Sequence, residues 1–139
     1  MLIKSLVAAT VLLLTSHVMA DHKPATVQSS VLLKSTASWD GTPYTAYPQG
    51  QPELTILKIS IPPRTRLDWH THPIPNAAYV VSGELTVEAR NSGRQILLRK
   101  GGTLAEMVDI SHRGKTGEKP VELIVFYAGT PEVPLSLKE

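Results

Sequence analysis

The sequence predicts an all-β protein with one globular domain. Short runs rich in Val, Ile, Leu and Thr alternate with breaks of Gly, Pro and Asn, a pattern typical of strands joined by turns. No long stretch has the periodicity of an amphipathic helix. A length of 139 residues fits a single domain, and a hydrophobic fraction of 42% is sufficient for a packed core.

The predicted strands follow the chain from one turn signal to the next. They cover residues 27–35, 53–61, 65–72, 77–81, 84–90, 95–99, 103–108 and 121–127. Asn91-Ser92-Gly93 predicts a hairpin turn, Pro62-Pro63 a break before the third strand, and Lys100-Gly101-Gly102 another turn. Residues 39–52, rich in Pro and Gly, form a predicted loop that is long enough to cover a pocket mouth. This number of closely spaced strands favours a jelly-roll barrel or a sandwich.

The first 20 residues have the layout of a secretory signal peptide. A short basic start, an apolar run over residues 6–15 and the small-x-small pattern Val18-Met19-Ala20 are its three parts. A membrane anchor or a buried first helix is the alternative, but the apolar run is short for spanning a bilayer. We expect cleavage after Ala20 and a soluble, periplasmic or secreted protein without membrane attachment. The remaining segments are then an arm of strand and loop at 21–50, a barrel at 51–129 and a tail at 130–139.

Composition excludes several kinds of chemistry. The chain has no cysteine, which rules out disulfides, thiolate catalysis and cysteine-ligated zinc or iron–sulfur sites. The formal net charge is only +2, with acidic and basic residues interspersed, so nucleic acid is not a predicted partner.

The segment His70-Thr71-His72 predicts a metal site. Alternate residues of a strand point to the same face with Cα atoms about 6.6–7 Å apart, so the two imidazoles can converge on one ion. Imidazole suits zinc, copper, iron and nickel. The competing interpretation is a pair of surface histidines on an edge strand, because isolated H-x-H is common by chance.

The surroundings of these histidines resemble the cupin superfamily. His70 and His72 occupy the H-x-H of the first cupin motif, Asn76 stands where the family usually has glutamate, and Gly83 follows at the motif spacing. Gly101 and His112 have the separation found in the second motif. The resemblance covers roughly residues 53–127. It implies a single cupin jelly-roll barrel in which His70, His72, His112 and the residue at position 76 face one divalent transition metal: iron, manganese, copper, nickel or zinc.

Several positions depart from the cupin motifs. Arg64 replaces the first motif's glycine, and Met107, Asp109 and Thr116 replace the proline, glycine and asparagine of the second. Asn76 is the most consequential change, because a neutral amide oxygen is a weaker ligand for a divalent ion than a carboxylate. Either three histidines hold the metal alone and leave more positions open, or another carboxylate compensates.

Glu106 is the candidate carboxylate and the predicted catalytic residue. It precedes His112 by six residues, on the strand that leads to it. Pointing inward, it could ligate the metal, orient a histidine or act as a general base. Pointing outward, it would be an ordinary solvated glutamate, and the parity of residues 103–108 does not decide because both faces carry apolar side chains.

The resemblance leaves the reaction open, since one fold hosts many activities. We expect a metal-dependent oxidoreductase, dioxygenase-like, that acts on a small organic molecule. A Lewis-acid lyase or isomerase and a non-enzymatic periplasmic binding protein for a metal or small ligand are the alternatives. A homodimer is also expected, as the resemblance implies, with the strand at 27–35 covering an edge of the partner's barrel.

Overall fold

The computed structural model describes residues 26–139, so the predicted signal peptide lies outside the described residues. The chain divides into two units, Met1–Ser30 and Val31–Glu139, and all the strands below belong to the second. Within residues 26–139, no helix is long and apolar enough to cross a membrane.

The second unit is built from two antiparallel sheets, which confirms the predicted all-β class. One sheet has the order β1-β8-β3-β6 and the other β5-β4-β7-β2-β9. The strands are β1 (Glu53–Ile61), β2 (His70–Thr71), β3 (Asn76–Ser82), β4 (Glu84–Ala89), β5 (Gln95–Arg99), β6 (Thr103–Ala105), β7 (His112–Thr116), β8 (Val121–Gly129) and β9 (Leu137–Lys138).

The core lies between the two sheets because inward positions alternate with outward ones. In β8, Val121, Leu123, Val125 and Tyr127 are buried, while the residues between them are more exposed. Leu85 and Val87 of β4 contribute the matching face of the other sheet. The space between the sheets is therefore apolar over most of its length, and polar side chains that enter it stand out.

The predicted strand at 27–35 is wrong. No strand is assigned over residues 26–36, and Val31 and Leu32 are 78% and 63% exposed. A side-chain hydrogen bond from the Thr103 hydroxyl of β6 to the Leu32 carbonyl, 3.0 Å long, joins this stretch to a strand. Apolar and β-branched residues favour a strand only where a neighbour pairs with them, and this stretch has no such ladder.

Other predicted boundaries need smaller corrections. The strands at 65–72 and 103–108 are reduced to β2 and β6, with only an isolated bridge between Arg66 and Lys115 in the first of them. The tail at 130–139 contains β9. The strand β7 was missed because its sequence, HRGKT, is polar, yet it pairs with both β4 and β2. Its Gly114 is fitted closely, since a Cβ there would lie 3.1 Å from Leu85 Cδ1.

Backbone shape is kept at the two motif positions where glycine has been replaced. Arg64 and Asp109 have φ values of 52° and 55°, in the left-handed region that glycine adopts most easily. The last glycine of the first motif is present as Gly83, which has a φ of 79°. A Cβ at this position would lie 2.1 Å from the Pro120 carbonyl oxygen. The turns around the histidines thus keep the conformation that the motifs require.

Candidate metal centre

The structure brings His70, His72 and His112 together at one end of the space between the sheets. His70 on β2 is paired directly with His112 on β7, and His72 follows two residues after His70. The ring centroids are 5.0, 4.6 and 5.0 Å apart for the three pairs. One ring nitrogen from each lies within 4.8 Å of the others, a grouping suited to a metal ion.

Each of the three rings is oriented by a backbone carbonyl. The Nδ1 atom lies 2.9 Å from Asp68 O in His70, 2.7 Å from Leu135 O in His72 and 2.7 Å from Ile110 O in His112. Because a carbonyl only accepts hydrogen bonds, each Nδ1 must carry the proton. The Nε2 lone pairs are then free, which is the arrangement found around metal-ligating histidines.

Burial and neighbouring charge shift the pKa values of the three imidazoles in different directions. Burial lowers the pKa of His70 and of His72, so both rings favour the neutral form that coordinates metals. Burial also acts on His112, but the adjacent Glu106 carboxylate outweighs it and raises the pKa of that ring. The His112 ring therefore differs from the other two, because it alone has a carboxylate next to its Nε2.

Glu106 points inward and faces the histidines from the opposite sheet. Glu106 is 9% exposed, and its Oε2 lies 3.4 Å from His112 Nε2. Burial opposes ionisation, but the contact with His112 prevails and lowers the pKa of Glu106. The carboxylate is thus held as an anion next to the three ring nitrogens.

Asn76 is buried on β3, on the same sheet as Glu106. Its Nδ2 donates to Ile74 O at 3.1 Å, while its Oδ1 has no hydrogen-bond partner among the described residues. Its role as a ligand stays a prediction, as does the catalytic role of Glu106.

The donor set fits a divalent cation. Within residues 26–139, Glu106 Oε2, His112 Nε2 and Asn76 Oδ1 are buried without a hydrogen-bond partner, although the first two lie 3.4 Å apart. Leaving buried polar atoms unsatisfied costs about 1–3 kcal/mol each, so such atoms require a partner. An ion held by three imidazole nitrogens, with a carboxylate or amide oxygen nearby, would satisfy them.

Sequence reasoning missed three residues next to the site. The Leu135 carbonyl holds His72, and the Tyr44 hydroxyl donates to the backbone oxygen of Glu106 at 2.6 Å. The Tyr127 ring meets the His72 ring edge-on, with centroids 5.7 Å apart. The alternation of β8 could have identified Tyr127 as inward, but no sequence pattern indicated the other two contacts.

Part of the predicted loop at 39–52 lines a groove. Residues 33–36 and 44–47 line this groove of about 580 Å³ together with Asn76, Ala77, Phe126 and Ala128 of the sheet. Ala77, Phe126 and Ala128 alternate with the buried residues of β3 and β8, so the groove lies on the outer face of the sheet.

No protein-family model and no curated protein matches the chain. A chain from the crystal structures of the DMSP lyases RdDddP and RnDddQII is 22% identical with a TM-score of 0.55, over 62% of this chain and 44% of that one. The DMSP lyase DddQ from Ruegeria pomeroyi DSS-3 is 17% identical with a TM-score of 0.55, over 70% and 46%. A cupin-like protein from Thermotoga maritima is 15% identical with a TM-score of 0.53, over 62% and 64%. The chain has the cupin fold.

The cupin resemblance of the sequence is thereby confirmed at the level of the fold. The present chain spans less than half the length of the two lyase chains. Activity and substrate must consequently be argued from the residues of this chain itself.

Proposed function

We propose that this cupin is a metal-dependent enzyme of the dioxygenase-like oxidoreductase class, acting on a small organic molecule with an acidic hydroxyl group. The observation that carries the proposal is the buried group of three imidazoles with free Nε2 atoms, joined by an anionic carboxylate from the facing sheet. Bound iron, manganese, copper or nickel would supply open coordination positions for substrate and oxygen.

The chain's own residues have distinct parts in this proposal. His70, His72 and His112 hold the ion through their ring nitrogens, and Asn76 offers an oxygen as the fourth donor of the site. Glu106 accepts the hydroxyl proton of the substrate at Oε2, because its neighbours keep it ionised and its burial excludes competing water. Ile74 and Met107, both fully buried, contribute to the apolar surroundings of the site.

A Lewis-acid lyase or isomerase is the second candidate. Proton abstraction by Glu106 is the step that such reactions need, and they require no oxidant. A redox-inert ion such as zinc would then support turnover. A third outcome, tight retention of a metal or ligand without turnover, would indicate a binding protein.

We further propose that the protein is exported to the periplasm or secreted. Support comes from the three-part signal sequence of residues 1–20. Expression of the whole chain followed by fractionation and N-terminal sequencing tests this, with cleavage after Ala20 as the expected result.

The first experiment is elemental mass spectrometry of the purified protein and of His70→Ala. Near-stoichiometric iron, copper, nickel or manganese that is lost in the variant supports the proposed centre. Glu84→Gln is the matched control, because Glu84 is exposed and forms an ion pair with the exposed Arg99. No metal in any of the proteins, even after reloading, would refute the metalloenzyme proposal.

The second experiment separates the reaction classes. Apoprotein is reloaded with Fe²⁺ or Zn²⁺ and screened against small hydroxy compounds, with and without oxygen. Oxygen consumption with Fe²⁺ that is lost in Glu106→Gln, while the metal stays bound, supports the oxidoreductase. Anaerobic turnover with Zn²⁺ would favour the lyase or isomerase instead.

A further inference from the structure

Residues 134–139, here named the closing segment, lie along β2, the strand that carries His70 and is followed directly by His72. Within this segment β9 pairs antiparallel with β2, so that Lys138 is opposite His70 and Leu137 is opposite Thr71. The backbone N–H of Glu139 extends the pairing by donating to Trp69 O at 3.1 Å. The backbone of the ligand strand is therefore fixed on one side by β7 and on the other by the closing segment.

The same segment supplies the hydrogen bond that orients His72. For His70 and His112, the carbonyl that accepts from Nδ1 lies two residues earlier in the same local stretch of chain. For His72 the acceptor is Leu135 O, which is 63 residues away. The protonation of His72 at Nδ1 thus depends on the closing segment being in place, whereas the other two rings carry their acceptors with them.

The far end of the closing segment is anchored beside the third ligand. Glu139 Oε2 accepts from the Ser111 hydroxyl and from Arg90 Nη1, each at 2.7 Å. Ser111 directly precedes His112. At the near end, Leu135 packs against the hydrophobic core. Contacts at both ends of the segment therefore hold the Leu135 carbonyl in place next to His72.

We propose that the closing segment is a positioning element of the metal centre, which sets metal affinity by holding His72 in the Nδ1–H form with Nε2 directed to the ion. The proposal rests on the metal site of the proposed function. Partners of this kind orient a ligand ring and make it a better donor, and their loss reduces metal affinity by about 10–100-fold.

The test compares the whole chain with a variant that ends at Val133. Co²⁺ affinity is measured by chelator competition, and the proton position on each histidine of the apoprotein is read from nitrogen-15 NMR. Truncation should weaken Co²⁺ binding by roughly 10–100-fold. It should also move the His72 proton from Nδ1 towards Nε2, while the proton stays on Nδ1 in His70 and His112, whose acceptors Asp68 O and Ile110 O remain in place. A general loss of stability would not single out one ring.

A second pair of variants applies if the truncated chain does not fold. Glu139→Ala removes the anchor but keeps the Leu135 carbonyl, so it should give a smaller loss of Co²⁺ affinity, restored in Glu139→Gln by the remaining amide oxygen. Lys138→Ala is the control, because that side chain is 83% exposed.

Two results would overturn the inference: an unchanged His72 signal in a folded truncated chain, or equal Co²⁺ affinity in Glu139→Ala and Lys138→Ala. If the whole chain binds no Co²⁺ although His72 is protonated at Nδ1, the proposed metal function fails instead.

Discussion

Gly129 has a tight contact with the core beneath the metal centre. A methyl group at position 129, near the end of β8, would lie 2.8 Å from Cδ1 of Ile74. Ile74 is fully buried and stands midway between His72 and Asn76 along the chain. The substitution Gly129→Ala should therefore displace Ile74 and strain the backbone between His72 and Asn76.

The expected cost follows from two opposing contributions. Overpacking of a buried site costs about 1–3 kcal/mol. Replacing glycine in a strand recovers about 0.5–1 kcal/mol of unfolded-state entropy. The two ranges differ by about 0–2.5 kcal/mol, and Gly129→Ala should thus lower the free energy of unfolding by about 1 kcal/mol, the middle of that interval.

Ile74→Val provides the second half of a double-mutant cycle. It removes the Cδ1 atom that the new methyl would meet, at a cost of about 0.5–1.5 kcal/mol when made alone. In the double variant the alanine methyl would occupy the vacated space. The combined loss should therefore be smaller than the sum of the single losses, with a coupling energy of about 1 kcal/mol or more.

Urea denaturation of the four metal-free proteins, monitored by circular dichroism, measures this coupling. Gly117→Ala is the matched control, because a Cβ there has no atom within 4 Å and should cost nothing. Strictly additive losses, or a Gly129→Ala protein as stable as the parent, would refute the packing argument.

Three further predictions concern the metal, a turn and an interface. Chelation should lower the melting temperature, because metal at 100 times its Kd stabilises a protein by about 2.7 kcal/mol, and the metal-dependent difference should shrink as falling pH protonates the imidazoles. Calorimetry with and without chelator at several pH values measures it, and identical curves after verified metal removal would count against the site. Asp109→Gly should raise the free energy of unfolding by about 0.5–1 kcal/mol by relieving a left-handed backbone, whereas Asp109→Val should lower it, both measured by denaturation. We expect sedimentation experiments to show a dimer, because Leu54 and Ile56 are 72% and 67% exposed on the edge strand β1. The substitution Ile56→Lys should dissociate this dimer, and a monomeric parent protein would contradict the prediction.

Elements whose signal is local could be predicted from the sequence. The strands β1 and β5 have the predicted bounds, because each is a short run rich in Ile and Leu between clear turn signals. The turn at residues 91–93 joins β4 to β5, with Gly93 at φ 65°. The convergence of the His70 and His72 side chains on one site was also a local prediction, since it requires only two residues at alternate positions of the chain.

Elements whose stability comes from distant partners could not be predicted. The polar β7 exists because it lies between β4 and β2, and β9 exists because β2 offers it an edge. Conversely, the apolar stretch at 27–35 has strand composition without a strand partner. The acceptor for His72 is a backbone carbonyl, which no residue type identifies. In each case the deciding interaction joins segments far apart in sequence.

Glu106 shows how this limit affects the candidate site itself. Its direction could not be read from residues 103–108, because both faces of that stretch carry apolar side chains. The register resolves it: Ala77 pairs with Ala105, and Glu106 N–H donates to Asn76 O at 3.1 Å, so Glu106 lies opposite Asn76 and shares its inward face. Glu106 follows β6 of one sheet and His112 lies on β7 of the other, so the packing of the two sheets places Glu106 Oε2 3.4 Å from His112 Nε2. A motif can identify the strand of the candidate ligands, but the position of the carboxylate depends on the tertiary fold, which is why Glu106→Gln with retained metal tests its proposed part in proton transfer.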